Sequence, residues 1–208
     1  KKKVLITAGP TQESIDPVRY LSNRSSGKMG YALAKASRDF GAHVDLITGP
    51  VHLTDIPQVK IYKIITADQM KQKIDKLVAT KKYDYIFMAA AVSDFRILNE
   101  KKEKIKSEAN SMTISLKKNT DIIKNIKRTS KTQIIGFSLE TKDGEQEALK
   151  KLKTKKLDYI ILNYANETGA GFDCNTNHVY IFSKDKHKYE IPLDRKDRVA
   201  KKIIEYIV

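Results

Sequence analysis

The chain has 208 residues, 40% of them apolar, with 40 basic against 25 acidic side chains and a net charge of +15. That length suits one large domain or two small ones at roughly 100–200 residues per domain, and the apolar share is enough for a core, which excludes a disordered tail. The longest apolar run, Tyr85–Val92, is fenced by Asp84 and Asp94 and falls far short of the roughly 20 residues a membrane helix needs. Lys1-Lys2-Lys3 leads into a short strand-like run rather than a long apolar leader, so no signal peptide is expected. A lone Cys174 cannot form an internal disulfide and suits a reducing compartment. The expectation is a cytoplasmic protein away from the membrane. A charge of this sign attracts polyanions: nucleic acid, a membrane surface or a phosphorylated metabolite. Zinc-ligand spacing, a ribonucleoprotein aromatic motif and heptads behind a basic region are all missing from the sequence, so nucleic acid ranks last.

Apolar runs alternate with helical patterns along the chain. Val4–Ala8 is a β-branched run; a Gly/Pro/Ser-rich loop follows, then a helix over Lys28–Phe40. His43–Thr48 and Val59–Ile64 read as strands, and Thr66 with Gln69 forms a capping box opening a helix to about Val78. Tyr83–Ala89 is apolar without alternation, as a central strand covered on both faces should be. Asn99–Ser111 is polar and lysine-rich, and Met112–Leu116 alternates weakly. Thr120 can cap a helix over Asp121–Lys127, Gln133–Phe137 is a strand, Glu145–Thr154 a helix and Tyr159–Asn163 a strand. His178–Phe182 and Lys188–Leu193 read as a hairpin around Lys184–His187, and Lys196–Ile207 closes as an amphipathic helix. Such alternation predicts a single α/β domain: a Rossmann-like, doubly wound, mostly parallel sheet with an antiparallel hairpin near the C-terminus. Ligands of that architecture bind beyond the carboxyl ends of the strands, where strand order reverses. The loops after Ala8, Ala89, Phe137 and Asn163 are therefore the place for a site.

Two of those loops carry chemistry. Ser22-Asn23-Arg24-Ser25-Ser26-Gly27-Lys28-Met29-Gly30 leads straight into a helix; glycines let backbone N–H groups approach an anion and the helix dipole favours negative charge. It matches neither the dinucleotide-binding glycine fingerprint nor a Walker loop, which disfavours a nicotinamide oxidoreductase. Ala89-Ala90-Ala91-Val92-Ser93-Asp94-Phe95 ends the buried strand with small residues and a carboxylate. Lys104-Ile105-Lys106 sits in the long polar segment, taken as a lid over about residues 99–111. Lys151 and Lys155 share a helix face and can grip one polyphosphate, although lysines so spaced also suit a solvated face. The four histidines are scattered, so no metal site built from protein ligands is expected.

Thr7–Gly30, Ala89–Phe95, Lys104-Ile105-Lys106, Asn119–Ile122, Gly136–Thr141 and Lys151–Asn163 together resemble phosphopantothenate–cysteine ligase over nearly the whole chain, and nothing in the chain resembles the flavin-dependent decarboxylase often fused to that enzyme in bacteria. The resemblance implies a homodimeric, CTP-dependent enzyme of coenzyme A biosynthesis that joins 4′-phosphopantothenate to cysteine. The route it implies passes through an acyl-cytidylate and releases CMP and pyrophosphate, with Mg²⁺ held mainly by the nucleotide phosphates. Carried over by position, Asn23 and Lys104 would be catalytic, and Asn23, Ala90, Ala91 and Asp94 would bind the acyl substrate. The nucleotide would be held by Ser25, Gly27, Gly30, Met88, Ala89, Ala90, Asp94, Lys104, Thr120, Asp121, Ile122, Ile123, Phe137, Lys151 and Lys155.

Overall fold

A computed structural model describes residues 1–106, 111–171 and 174–208. Its centre is an eight-stranded sheet in the order β12-β11-β10-β9-β6-β1-β4-β5. The strands are β1 (Lys3–Ala8), β4 (His43–Thr48), β5 (Lys60–Lys63), β6 (Tyr85–Met88), β9 (Gln133–Glu140), β10 (Tyr159–Tyr164), β11 (Thr176–Ser183) and β12 (Lys188–Arg195). The first six of these run parallel, and β11 and β12 add the antiparallel hairpin at one edge. Two small hairpins stand apart: β2 (Gln12–Ser14) with β3 (Tyr20–Ser22), and β7 (Phe95–Ile97) with β8 (Leu116–Lys118).

Helices cover both faces, so the central strands are mostly buried; Val4, Leu5, Ile6 and Phe87 are fully enclosed. Residues of α1 (Lys28–Asp39) and α4 (Lys196–Ile207) join one face in a core containing Ile6, Phe87, Ile135 and Ile203. Residues of α2 (Ala67–Thr80) and α3 (Gly144–Thr154) join the other, with Leu5, Ile86, Ile134 and Ile160. Alternate residues of each strand feed the two cores, the period-two consequence of the pleat. The capping box is present: the Thr66 side chain accepts from Gln69 N–H, and Gln69 answers to the Thr66 N–H.

Three expectations change. Asp121–Lys127 is not an α-helix but one 3₁₀ turn over Ile123–Asn125, with Asp121 rather than Thr120 accepting from the Lys124 N–H. The weak alternation at Met112–Leu116 becomes a strand only from Leu116. The hairpin β2–β3 lies in the stretch that reads as a Gly/Pro/Ser-rich loop, and β7 and all of β8 but Leu116 fall outside the expected elements, because three-residue strands leave no period to detect. Of the expected lid, Ser107–Asn110 lies outside the described residues.

Candidate functional site

The chain runs from β1 outward to β4 and β5, then returns to the other side of β1 to lay down β6, β9 and β10. Strand order therefore reverses between β1 and β6, and a crevice opens beyond their carboxyl ends. It has a volume of about 290 Å³, and its lining includes Ser25–Gly30, Ala89–Val92, Asp94, Phe137 and Leu139.

One wall is the start of α1. Gly27 takes φ +76°, and the helix begins there with no side-chain cap. First-turn amides have no acceptor within a helix, and those of Met29 and Gly30, which line the crevice, are donors suited to an anion. The wall is pressed tightly onto β1 and the segment after β4: a Cβ on Gly30 would lie 2.5 Å from Ala8 Cβ, and one on Gly27 would lie 2.7 Å from Val51 Cγ1. The opposite wall follows β6. Ala91 N–H donates to Gly9 carbonyl at 2.9 Å, Ser93 N–H to Thr11 Oγ1 at 2.9 Å, and Ala90 N–H to Thr7 Oγ1 at 3.2 Å. Asn23 closes the corner by donating its amide to the Ala91 and Val92 carbonyls at 3.1 and 3.3 Å.

Ser25, Gly27, Gly30, Ala89, Ala90, Ala91, Asp94 and Phe137 thus lie on one crevice, with Asn23 at its edge. The others lie elsewhere. Met88 is buried in the α2/α3 core. Lys104 is exposed, in a segment pinned beside Asp16: Ile105 N–H donates to Asp16 Oδ2 and the Ile105 carbonyl accepts from Arg19. Hydrogen bonds from Arg19, opposed by burial, hold the Asp16 carboxyl well below the usual range. Side chains at 137 and 138 point to opposite faces of β9, so while Phe137 lines the crevice, Ser138 meets Lys151 on the α3 side. There Lys151 donates to Ser138 Oγ at 2.9 Å and pairs with Glu140 at 2.5 Å. Burial raises the Glu140 carboxyl, but Lys151 and Ser138 outweigh it and the net direction is downward. Lys155 pairs with Asp121 at 3.3 Å, and Ile122 is buried, with Thr120 exposed and Ile123 half-buried. These residues form a second cluster that does not line the crevice.

Sequence reasoning missed Asn177, Gly171 and Lys196, which also line the crevice. Lys196 is buried and donates to the Gly171 and Cys174 carbonyls, both at 2.7 Å. A lysine opening an amphipathic helix gives no sign in the sequence that it faces inward. Among the described residues, no group of three or more His, Cys, Asp or Glu is arranged to hold a metal, and no helix is long and apolar enough to cross a membrane.

Residues 1–208 match the family described as the DNA/pantothenate metabolism flavoprotein C-terminal domain. The chain belongs to this family. Its relatives include the coenzyme A biosynthesis bifunctional protein CoaBC of Bacillus subtilis (strain 168), 44% identical over 99% of this chain and 51% of that protein. Another is a cysteine/cysteine sulfinic acid decarboxylase from an unknown prokaryotic organism, 40% identical over 100% of this chain and 58% of that protein. The chain spans about half the length of these relatives. Among solved structures, the C-terminal domain of a CoaBC superposes with a TM-score of 0.83 at 35% identity, covering 99% of this chain and 93% of that one. A Cab2 mutant in complex with phosphopantothenate-cysteine shares the fold at a TM-score of 0.80 and 16% identity, over 99% of this chain and 86% of that one.

For this C-terminal domain the comparisons correct several expectations. The family's description is that of a flavoprotein's domain, so the separation from the flavoprotein does not stand. The family is described by a flavoprotein, and the reaction named among these relatives is a decarboxylation. The CTP-dependent ligase with its acyl-cytidylate, the Mg²⁺ and CTP, and the set of 4′-phosphopantothenate, cysteine and CTP as partners are withdrawn on that ground. The homodimer rested on the same resemblance alone.

A flavoprotein family implies a flavin, and the crevice can be tested for one. Its uncapped helix start suits the phosphate. The tricyclic ring needs a broad apolar slot with flat walls. Here Phe137 is the one aromatic among the described lining residues, and Asn163, Asn177 and Lys196 make part of the lining polar, Asn177 lying against Met29 in the first turn of α1. The residues present fit a phosphate and a slender polar chain, and they do not fit the ring.

Proposed function

We propose that this chain is the part of a coenzyme A biosynthesis enzyme that holds phosphopantothenoyl-cysteine, with a phosphate or carboxylate of that compound at the start of α1 and its chain between Ala89–Asp94 and Phe137. The observation that carries the reading is the uncapped start of α1 facing the crevice at the switch in strand order. Both ends of such a compound are anionic, and a slender amide chain suits a crevice of about 290 Å³ better than a tricyclic ring does. The name of the distant structural relative, a complex with the same compound, supports the choice of ligand. In this reading the Met29 and Gly30 amides and the Ser25 hydroxyl take the anion, Asn23 fixes the Ala91–Val92 backbone against which the ligand's amides lie, and the buried Lys196 ammonium adds positive potential beside the start of α1.

The test is calorimetric titration with phosphopantothenoyl-cysteine and with its dephosphorylated form. Loss of a charge-assisted contact set weakens binding by about ten- to a hundredfold. Equal affinity for the two forms, or affinity for neither, overturns the reading. A second reading, decarboxylation of the cysteinyl carboxylate, is favoured by the name of one relative. It requires the flavin, and the crevice does not fit the ring. Release of carbon dioxide from the bound compound on adding flavin mononucleotide would establish it; binding of the compound with no release would assign the decarboxylation elsewhere.

A further inference from the structure

At the opposite end of the sheet a larger groove of about 710 Å³ lies between α3 and the β11–β12 hairpin. Its floor is apolar, formed by Leu149, Leu152, Leu157 and Phe182, and Leu149 remains 41% exposed where a closed core would have covered it. Its rim is cationic. Arg128, Lys184 and Lys188 are already engaged: Asp158 takes Arg128 at 2.6 Å and Lys184 at 2.8 Å, and Glu145 takes Lys188 at 2.6 Å. Those two carboxylates are the acidic residues that line the groove, so Lys153, Lys156 and Lys186 stand at its mouth with no anionic partner among the described residues.

The backbone reinforces the observation. Lys156 and Lys186 take φ +52° and +66°, a region that disfavours any side chain with a Cβ and that glycine or asparagine would occupy more easily. Both turns nevertheless place a lysine beside the same apolar floor. The volume falls within the roughly 300–1,000 Å³ of small-molecule sites, and an apolar lining with a few convergent charges is their usual chemistry.

We propose that this groove binds a soluble single-tailed amphiphile: an apolar chain on Leu149, Leu152, Leu157 and Phe182, ending in a phosphate or carboxylate among Lys153, Lys156 and Lys186. Charge complementarity selects the head group and the leucine floor selects the tail. None of these residues belongs to the crevice at the other end of the sheet.

The test uses dodecyl phosphate below its micellar concentration, followed by amide chemical shifts. Inorganic phosphate, dodecyltrimethylammonium and vesicles of anionic phospholipid serve as comparisons. Saturable shifts at Leu149, Leu157 and Phe182 are expected with dodecyl phosphate, at an affinity at least about tenfold above that for the cationic amphiphile. The double variant K153E/K186E and the single variant L149D change exposed positions; each should keep the wild-type circular dichroism and weaken dodecyl phosphate by about tenfold or more. Equal binding of the cationic amphiphile removes the role of the lysines. Equal binding of inorganic phosphate removes the role of the floor. Shifts confined to the crevice, or association with vesicles in place of the monomeric amphiphile, also overturn the proposal.

Discussion

Single side chains set much of the local behaviour, and His178 gives the sharpest case. Its Nδ1 lies 2.6 Å from Glu167 and its Nε2 lies 3.0 Å from Glu190, while its ring packs on Tyr180 with centroids 4.7 Å apart. Burial pushes the imidazole down, but the two carboxylates outweigh it, so its folded value rises above the ordinary 6.5. A raised value means that the stabilisation is complete below the unfolded value and is lost as pH climbs through the folded one. The thermal midpoint should therefore fall from pH 6 to pH 8.5 in the wild type, and less so in His178→Gln. The effect is small, under about 1 kcal/mol, because the clamp is partly solvated. A midpoint whose pH dependence is the same in both proteins would show the clamp to be inert. Lys151→Ala makes a second residue-scale test. It strips Glu140 and Ser138 of their cation without touching the crevice, so phosphopantothenoyl-cysteine should bind as before; a large loss would join the two clusters into one site.

At the scale of elements, the contact of α1 with β1 decides where the anion wall stands. Gly30→Ala would press a methyl onto Ala8. Overpacking of this kind costs about 1–3 kcal/mol, and the helix start must also retreat from the rim. Both the melting temperature and the affinity for phosphopantothenoyl-cysteine should drop, read by calorimetry. Long elements were legible in the sequence because their periods repeat: His43–Thr48 and Lys196–Ile207 agree residue for residue with β4 and α4, and Thr66 with Gln69 announced α2. The short hairpins β2–β3 and β7–β8 were not, since three residues carry no period and their pairing is set by distant parts of the chain. The crevice was legible in part for the same reason. Ser25–Gly30 and Ala89–Asp94 carry local signals, a glycine-bearing turn and a run of small residues. Asn177 and Lys196 arrive through the antiparallel edge and the closing helix, a tertiary fact. Lys151 meets Ser138 while Phe137 lines the crevice, because a one-residue step along β9 changes the face.

Across the whole molecule, two cores share a single sheet, so neither face can loosen without exposing the other. Phe87 lies at the centre, fully buried, on a strand paired with both β1 and β9. Phe87→Ala should cost about 3–5 kcal/mol and lower the urea midpoint in one cooperative step. Two separated transitions would mean that the faces unfold independently.

The order of the strands bears on how the protein breathes. The two lips of the crevice, Gly9–Gly30 and Ala89–Ser93, meet only because β6 docks beside β1 after the excursion through β4 and β5. The amides of Ala91 and Ser93 are closed by acceptors on the first lip, Gly9 and Thr11. Such amides exchange with deuterium only when the two lips part, whereas the ends of a surface helix fray freely. Their exchange should therefore keep pace with that of the β6 interior and remain slower than that of the exposed C-terminal turn of α2. A rim assembled from distant stretches of chain thus acquires the rigidity of the core itself.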